Sequence, residues 1–373
     1  MSKCGFYQVG DKQFNNKNHA IYEASTTKSK MSWNFYDSVF DDFAKTKLKT
    51  LGQLPLDAWY KLRAQQLRDT YDYLILNYSG GPDSHNILMT FLNNNIKLDE
   101  VHVKYSSTVD SKIYIPNTTI FGAENIHSEW DYVIKPTLDK LSVTNPEIKI
   151  DIHDVFQDKL IINDDTLLNA PSHFLGAFEL KRQQSYSKSI DIESDKGHSV
   201  ADIYGIDKPV VIYKEKSFFM VFNDVTVSVG GNRHPNIELF YWTPDMPHIP
   251  FEQAYKLYLH FKENPNLLSL IDVSVINRGD SLRLETLRKL SIDLIYNTWD
   301  HNKFQADKPV YYSKEGRTRD KYYLAHADFS KYLDMWNYHA HSWNSALSTQ
   351  YFNNDLLQSE MLFSKWHNIG YFI

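Results

Sequence analysis

Apolar and polar positions along the chain switch between two periods. Residues 56–68 place Leu and aromatic side chains at helical spacing among good helix formers, predicting a helix that starts just after Pro55. Tyr71-Asp72-Tyr73-Leu74-Ile75-Leu76-Asn77-Tyr78 then runs as a compact apolar stretch, continuous from Tyr73 to Leu76. That pattern suits a parallel strand covered on both faces. A glycine pair follows, and residues 83–92 return to helical spacing with their apolar positions on one side. Residues 98–105 alternate as a second strand. A helix is expected from Ser128 to about Leu141, kinked at Pro136, and residues 148–152 alternate as a third strand. Helix over 170–182, paired strands over 209–213 and 217–222, and helices over 251–262 and 282–296 complete the pattern.

Strands separated by helices imply parallel pairing through right-handed crossovers. The expected fold is therefore α/β, a three-layer sandwich around a mostly parallel, doubly wound sheet, with the later strand pair extending or flanking it. Residues 1–35 are polar and show no clear period, so they read as an irregular arm, with a short hairpin as the alternative. The expected division is 1–70 as arm and helix, 71–250 as the α/β domain, and 251–373 as a helical, aromatic-rich C-terminal region.

Composition narrows the chemistry. With 373 residues, 42% hydrophobic and 14% aromatic, the chain can bury a large core. Its net charge of −6 provides no overall positive field for a nucleic-acid backbone, although local basic patches remain open. A single cysteine, Cys4, excludes an internal disulfide and any zinc site built from two thiolates. Neither a signal-peptide-like start nor a run of about 18 apolar residues occurs, so the expectation is a soluble, cytoplasmic protein without membrane association.

The candidate chemistry lies at Ser79-Gly80-Gly81-Pro82-Asp83-Ser84. In an open parallel sheet, ligands bind outside the carboxyl end of a strand and at the start of the next helix, which is where this loop falls. Gly80 and Gly81 allow positive φ and close approach of an anion, and the helix's first N–H groups point at it. Ser79 and Ser84 add hydroxyl donors. The loop lacks the Gly-Lys-Ser or Gly-Lys-Thr ending of a Walker loop and the third glycine of a dinucleotide fingerprint.

This string resembles the SGGxDS signature of the PP-loop ATP pyrophosphatase superfamily, with every fixed position present and the surrounding resemblance confined to residues 71–106. The resemblance implies an adenine nucleotide alpha hydrolase-like fold and ATP with Mg²⁺ as cofactors. It also implies cleavage between the α- and β-phosphates, transferring AMP to an acceptor oxygen. Ser79, Gly80, Gly81, Asp83 and Ser84 would bind the nucleotide, and Asp83 would help organise Mg²⁺, with helix capping as its alternative reading. Lys208, ahead of a predicted strand, would face the departing pyrophosphate as the second catalytic residue, or would be a solvated surface lysine.

The single cysteine disfavours the thiolating and zinc-binding branches of the superfamily, and Cys4 is not the second residue, as an asparagine synthetase glutaminase would require. An adenylating ligase using free ammonia or an amine on a small-molecule acceptor fits best. Two alternatives stay open: a tRNA or DNA base modifier, and a non-catalytic nucleotide-sensing or scaffold protein. Glu129, Asp131 and Asp154 are carboxylates that could bind metal or an amine, and capping is the commoner role. Residues 239–247 could wall a pocket or pack a junction. The loops 230–235 and 314–319 could hold an anion or face solvent. His339 and His341 form a metal pair by spacing or a packed pair by composition.

Overall fold

The computed structural model describes residues 4–105, 129–154, 186–206, 208–224, 237–274, 281–301 and 362–371. The amino-terminal segment is more regular than its polar sequence suggests. β1 (Phe6–Val9), β2 (Lys12–Phe14) and β3 (Met31–Asn34) form an antiparallel sheet in the order β2-β1-β3, with α1 (Lys17–Thr27) between β2 and β3. Short alternation explains it: Tyr7, Val9, Met31 and Trp33 point inward and are buried. A buried ion pair, Lys17 Nζ to Asp224 at 2.7 Å, and a hydrogen bond from Tyr7 Oη to the same carboxylate fasten this sheet to the rest of the chain.

α2 (Asp37–Thr46) and α3 (Leu56–Thr70) lead into the central sheet. Its five strands are β4 (Tyr73–Asn77), β5 (Glu100–Tyr105), β6 (Lys149–Asp154), β7 (Val200–Tyr204) and β10 (Ile237–Leu239). They lie in the order β10-β7-β4-β5-β6, and every neighbouring pair is parallel. From β4 the chain winds outward to β5 and β6, then returns to the other side of β4 for β7 and β10. The reversal lies between β4 and β7, where a parallel sheet opens a crevice at its carboxyl edge.

Leu74, Leu76, Val101, Val103, Ala201 and Ile203 make one face of the sheet, all fully buried in a core shared with α3 and α4 (Pro82–Asn93). On the other face Ile75 and Val200 pack with Ile190 of α6 (Ser189–Asp195). Helices thus cover both sides, an α/β arrangement compatible with a three-layer sandwich. Between β5 and β6 the expected kinked helix is divided: a π-helical turn at Trp130–Ile134 precedes α5 (Lys135–Thr144), and Pro136 opens α5 rather than bending it. A proline's missing N–H is harmless in a first turn.

β8 (Val210–Lys214) and β9 (Ser217–Val221) flank the central sheet instead of extending it. They form a separate antiparallel sheet, completed by β11 (His367–Tyr371) from the end of the chain. α7 (His248–Glu263) and α8 (Ser281–Ile295) supply the helical C-terminal character. The helix expected over 170–182 lies outside the described residues. None of the helices in the described residues is long and apolar enough to cross a membrane.

Candidate active site at the carboxyl edge of the sheet

The loop leaves β4, the central strand, and opens α4. Gly80 has φ +74°, the left-handed region that an L side chain resists, and a β-carbon there would stand 2.5 Å from Ile134 Cγ1. Gly81 is the residue before the helix, in an extended conformation, and Pro82 takes the first helical turn. No side chain caps α4, so its positive end faces the loop. Ser84, expected to offer its hydroxyl to a ligand, turns it inward: Oγ donates to Gly81 O at 3.2 Å and accepts from Ser79 N at 3.2 Å. The hydroxyl braces the turn. Gly80, Gly81 and Ser84 are buried, while Ser79 and Asp83 reach the surface.

Asp83 and Lys208, 125 residues apart, meet: Lys208 Nζ donates to Asp83 Oδ1 at 2.6 Å. Tyr296, just beyond α8, donates to the same oxygen at 2.7 Å, and Lys208 lies over its ring at 5.5 Å. Burial pushes the Tyr296 hydroxyl well above its ordinary pKa, with Asp83's charge adding to the shift, so it stays a proton donor. Tyr241 donates to the backbone carbonyl of Asp83 at 2.8 Å and accepts from Asn86. Of the roles open to residues 239–247 the structure shows packing: Phe240, Tyr241 and Trp242 are fully buried, and Tyr241 also holds the helix start. Gly205, after β7, approaches closely enough that a β-carbon would stand 3.1 Å from Ser84 N. The loops after β4 and β7 thus meet across the point where the sheet's winding reverses.

Beside this clamp lies the less apolar face of the sheet. Register aligns Asn77 of β4 with His102 of β5 and His102 with Asp151 of β6. Asp151 Oδ2 lies 2.7 Å from His102 Nδ1, and this bond holds the Asp151 carboxyl below its usual range. Asn77 Nδ2 donates to Asp202. Glu100 accepts from Tyr73 and Lys149 on one oxygen and from Ser187 on the other. Glu100, His102 and Asp151 form the one group among the described residues spaced to hold a metal ion. Glu100's bonds to three donors argue for a purely protein-satisfied carboxylate there.

Of the other candidates, Glu129 is buried, with its carbonyl beside Gly80, and Trp130 stacks on Tyr105. Asp131 lies in the first turn of that π-helical segment, and Asp154 ends β6, the outermost strand on its side of the sheet among the described residues. Neither is brought to the loop by any contact described above. The loops 230–235 and 314–319, and His339 and His341, lie outside the described residues. Sequence reading missed Tyr296 and Gly205, for which no local pattern exists, and named Tyr241 only within the aromatic segment 239–247, without its contact to the loop. It also passed over Asn77, His102 and Asp202, although the alternation of Glu100, His102 and Lys104 marked a polar face. No protein-family model matches the chain, and neither a curated protein nor a solved structure matches it.

Proposed function

We propose that the chain binds ATP at the Ser79–Ser84 loop and cleaves it between the α- and β-phosphates: an acceptor oxygen takes the AMP as pyrophosphate leaves, and a nitrogen nucleophile then attacks the carbon bearing that oxygen and displaces AMP. The fold would be adenine nucleotide alpha hydrolase-like. The observation that carries this reading is the convergence of Lys208 on the loop: a cation from the turn after β7 stands at the uncapped start of α4, beside a positive-φ glycine, where the sheet's winding reverses. Backbone N–H groups of a helix start and a lysine suit the diphosphate portion of a nucleotide.

In this reading Gly80 and Gly81 let the phosphates approach the main chain. Lys208 compensates the charge that grows on the departing pyrophosphate, and Asp83 with Tyr296 positions Lys208. Asp83 fits poorly as a protein-held metal site, since its Oδ1 already accepts from two donors and it is outside the metal-spaced group. Magnesium bound to ATP would supply further charge compensation. Catalysis rests chiefly on positioning and electrostatics. The test is product analysis: purified protein with Mg²⁺-ATP, ammonium and a panel of carboxylic acids and amides should release AMP and pyrophosphate. ADP with inorganic phosphate would contradict the reading.

A further inference from the structure

Two buried side-chain atoms belong to residues in register on neighbouring strands next to the loop. Asn77 Oδ1 and His102 Nε2 have no hydrogen-bond partner among the described residues, and His102 is 1% exposed. Their residues face each other in register on β4 and β5. Asp202 fixes the orientation of the Asn77 amide, because a flip would set two oxygens against each other. Asp151 fixes the tautomer, since an ionised carboxylate accepts only, so Nδ1 carries its hydrogen and, in the neutral form of the ring, Nε2 is an acceptor. A buried polar atom left without a partner is destabilising by about 1–3 kcal/mol. The pair therefore calls for a ligand that donates two hydrogens.

The charges nearby select its class. The carboxylates of Asp151 and Asp202 stand directly behind the two acceptors. Of the lysines on this face, Lys149 donates to Glu100 and Ser189 and Lys104 donates to Tyr204 Oη at 3.2 Å, and the ring of His153 stands 6.5 Å from that of His102. Asn77 is also only two residues before Ser79, so a ligand here would sit beside whatever the loop holds. We propose that Asn77 and His102 form the receiving site for ammonium or a primary amine, the two acceptors taking its N–H donors. This identifies the nitrogen source for the proposed adenylation and rests on that reading for its role, though not for its binding.

The test follows the His102 ring resonances in full-length protein carrying ¹⁵N-histidine, assigned by comparison with Asp151→Asn. Ammonium chloride and methylammonium chloride are titrated at constant ionic strength. We expect a saturable shift with both probes and little with potassium or tetramethylammonium, which offer no N–H. Asn77→Leu, or Asn77→Ala if the first does not fold, should weaken the response about tenfold, as expected for one lost hydrogen bond. The proposal is overturned by no saturable shift, as a trapped water would give, by an equal response to potassium, or by an unchanged response in the Asn77 variant. ATP binding measured on the same samples separates the two readings: an ammonium response without ATP binding keeps this site and removes the adenylation, while ATP binding without an ammonium response does the reverse.

Discussion

One face of the central sheet sets Leu74, Leu76, Val101, Val103, Ala201 and Ile203 against α3 and α4, while the same strands turn Asn77, Glu100, His102, Lys104 and Asp202 the other way, joined by Asp151 of β6. Burial of apolar side chains accounts for the first face, each Leu or Val contributing about 1.5–3 kcal/mol. Polar side chains gain nothing comparable from burial and are destabilising unless paired. A second histidine sharpens the contrast. His367 also meets a carboxylate, with Nδ1 3.0 Å from Asp41, but it is packed against Phe40, Phe222 and Phe251, and burial drives its pKa down. Its Nε2, like that of His102, is buried with no hydrogen-bond partner among the described residues, but its neighbours are aromatic core side chains that offer a polar ligand nothing else to hold. His102 sits among groups whose arrangement folding alone does not require.

The comparison breaks most sharply on the apolar side. Leu76→Ala should destabilise the protein by about 2–5 kcal/mol in urea melts, through lost burial and the cavity left behind, while any nucleotide affinity of the folded fraction is retained. Next is the clamp. Lys208→Met should lower AMP release by on the order of 10²-fold, the scale of one lost charge-stabilising donor, with a smaller change in stability because Asp83 is partly solvated. A stability loss without an activity loss would reduce Lys208 to a structural partner.

Gly80→Ala should destabilise by about 2 kcal/mol, from the left-handed backbone and from the new contact with Ile134, and should abolish nucleotide binding. The polar face should behave differently. His102→Leu removes an unpartnered acceptor and leaves Asp151 a third exposed, so its stability should stay within about 1 kcal/mol of wild type. A loss of 3 kcal/mol would make the polar face a folding element and erase the contrast. The smallest effect is on acid stability. Asp151's carboxyl is held below its usual value, near 4, by the His102 hydrogen bond, so its contribution is present above that pH and disappears as pH falls through the lower folded-state value. Asp151→Asn should flatten this limb in melts between about pH 5 and 2.

How much of this was legible in the sequence follows from what is local. The strand, glycine turn and helix around Ser79–Ser84 are written in consecutive residues, and so are β5, β6, β8, β9, α7 and α8, because period and turn chemistry act over a few positions. Lys208 emerged from its place before a strand, and its contact with Asp83 depends on where β7 returns in the sheet. Tyr296 and Tyr241 reach the loop from 213 and 158 residues away, distances over which no spacing rule operates. The amino-terminal sheet was hidden for another reason: its strands are only three or four residues long, too short for alternation to rise above a polar background. Ser84 shows a subtler limit. Its hydroxyl was foreseen as a donor at the loop, but the partner that won was the loop's own carbonyl.

The central claim is that the main chain around Gly80 and Gly81 receives a nucleotide's phosphates with Lys208 in attendance. Its most direct measurement is calorimetric titration of the full chain with Mg²⁺-ATP and with pyrophosphate, beside Lys208→Met and Gly80→Ala at a temperature where all three are folded. The account predicts saturable binding of both ligands to the wild type, weakened in Lys208→Met and absent in Gly80→Ala. Binding of equal strength in all three proteins, or none in the wild type, would contradict it.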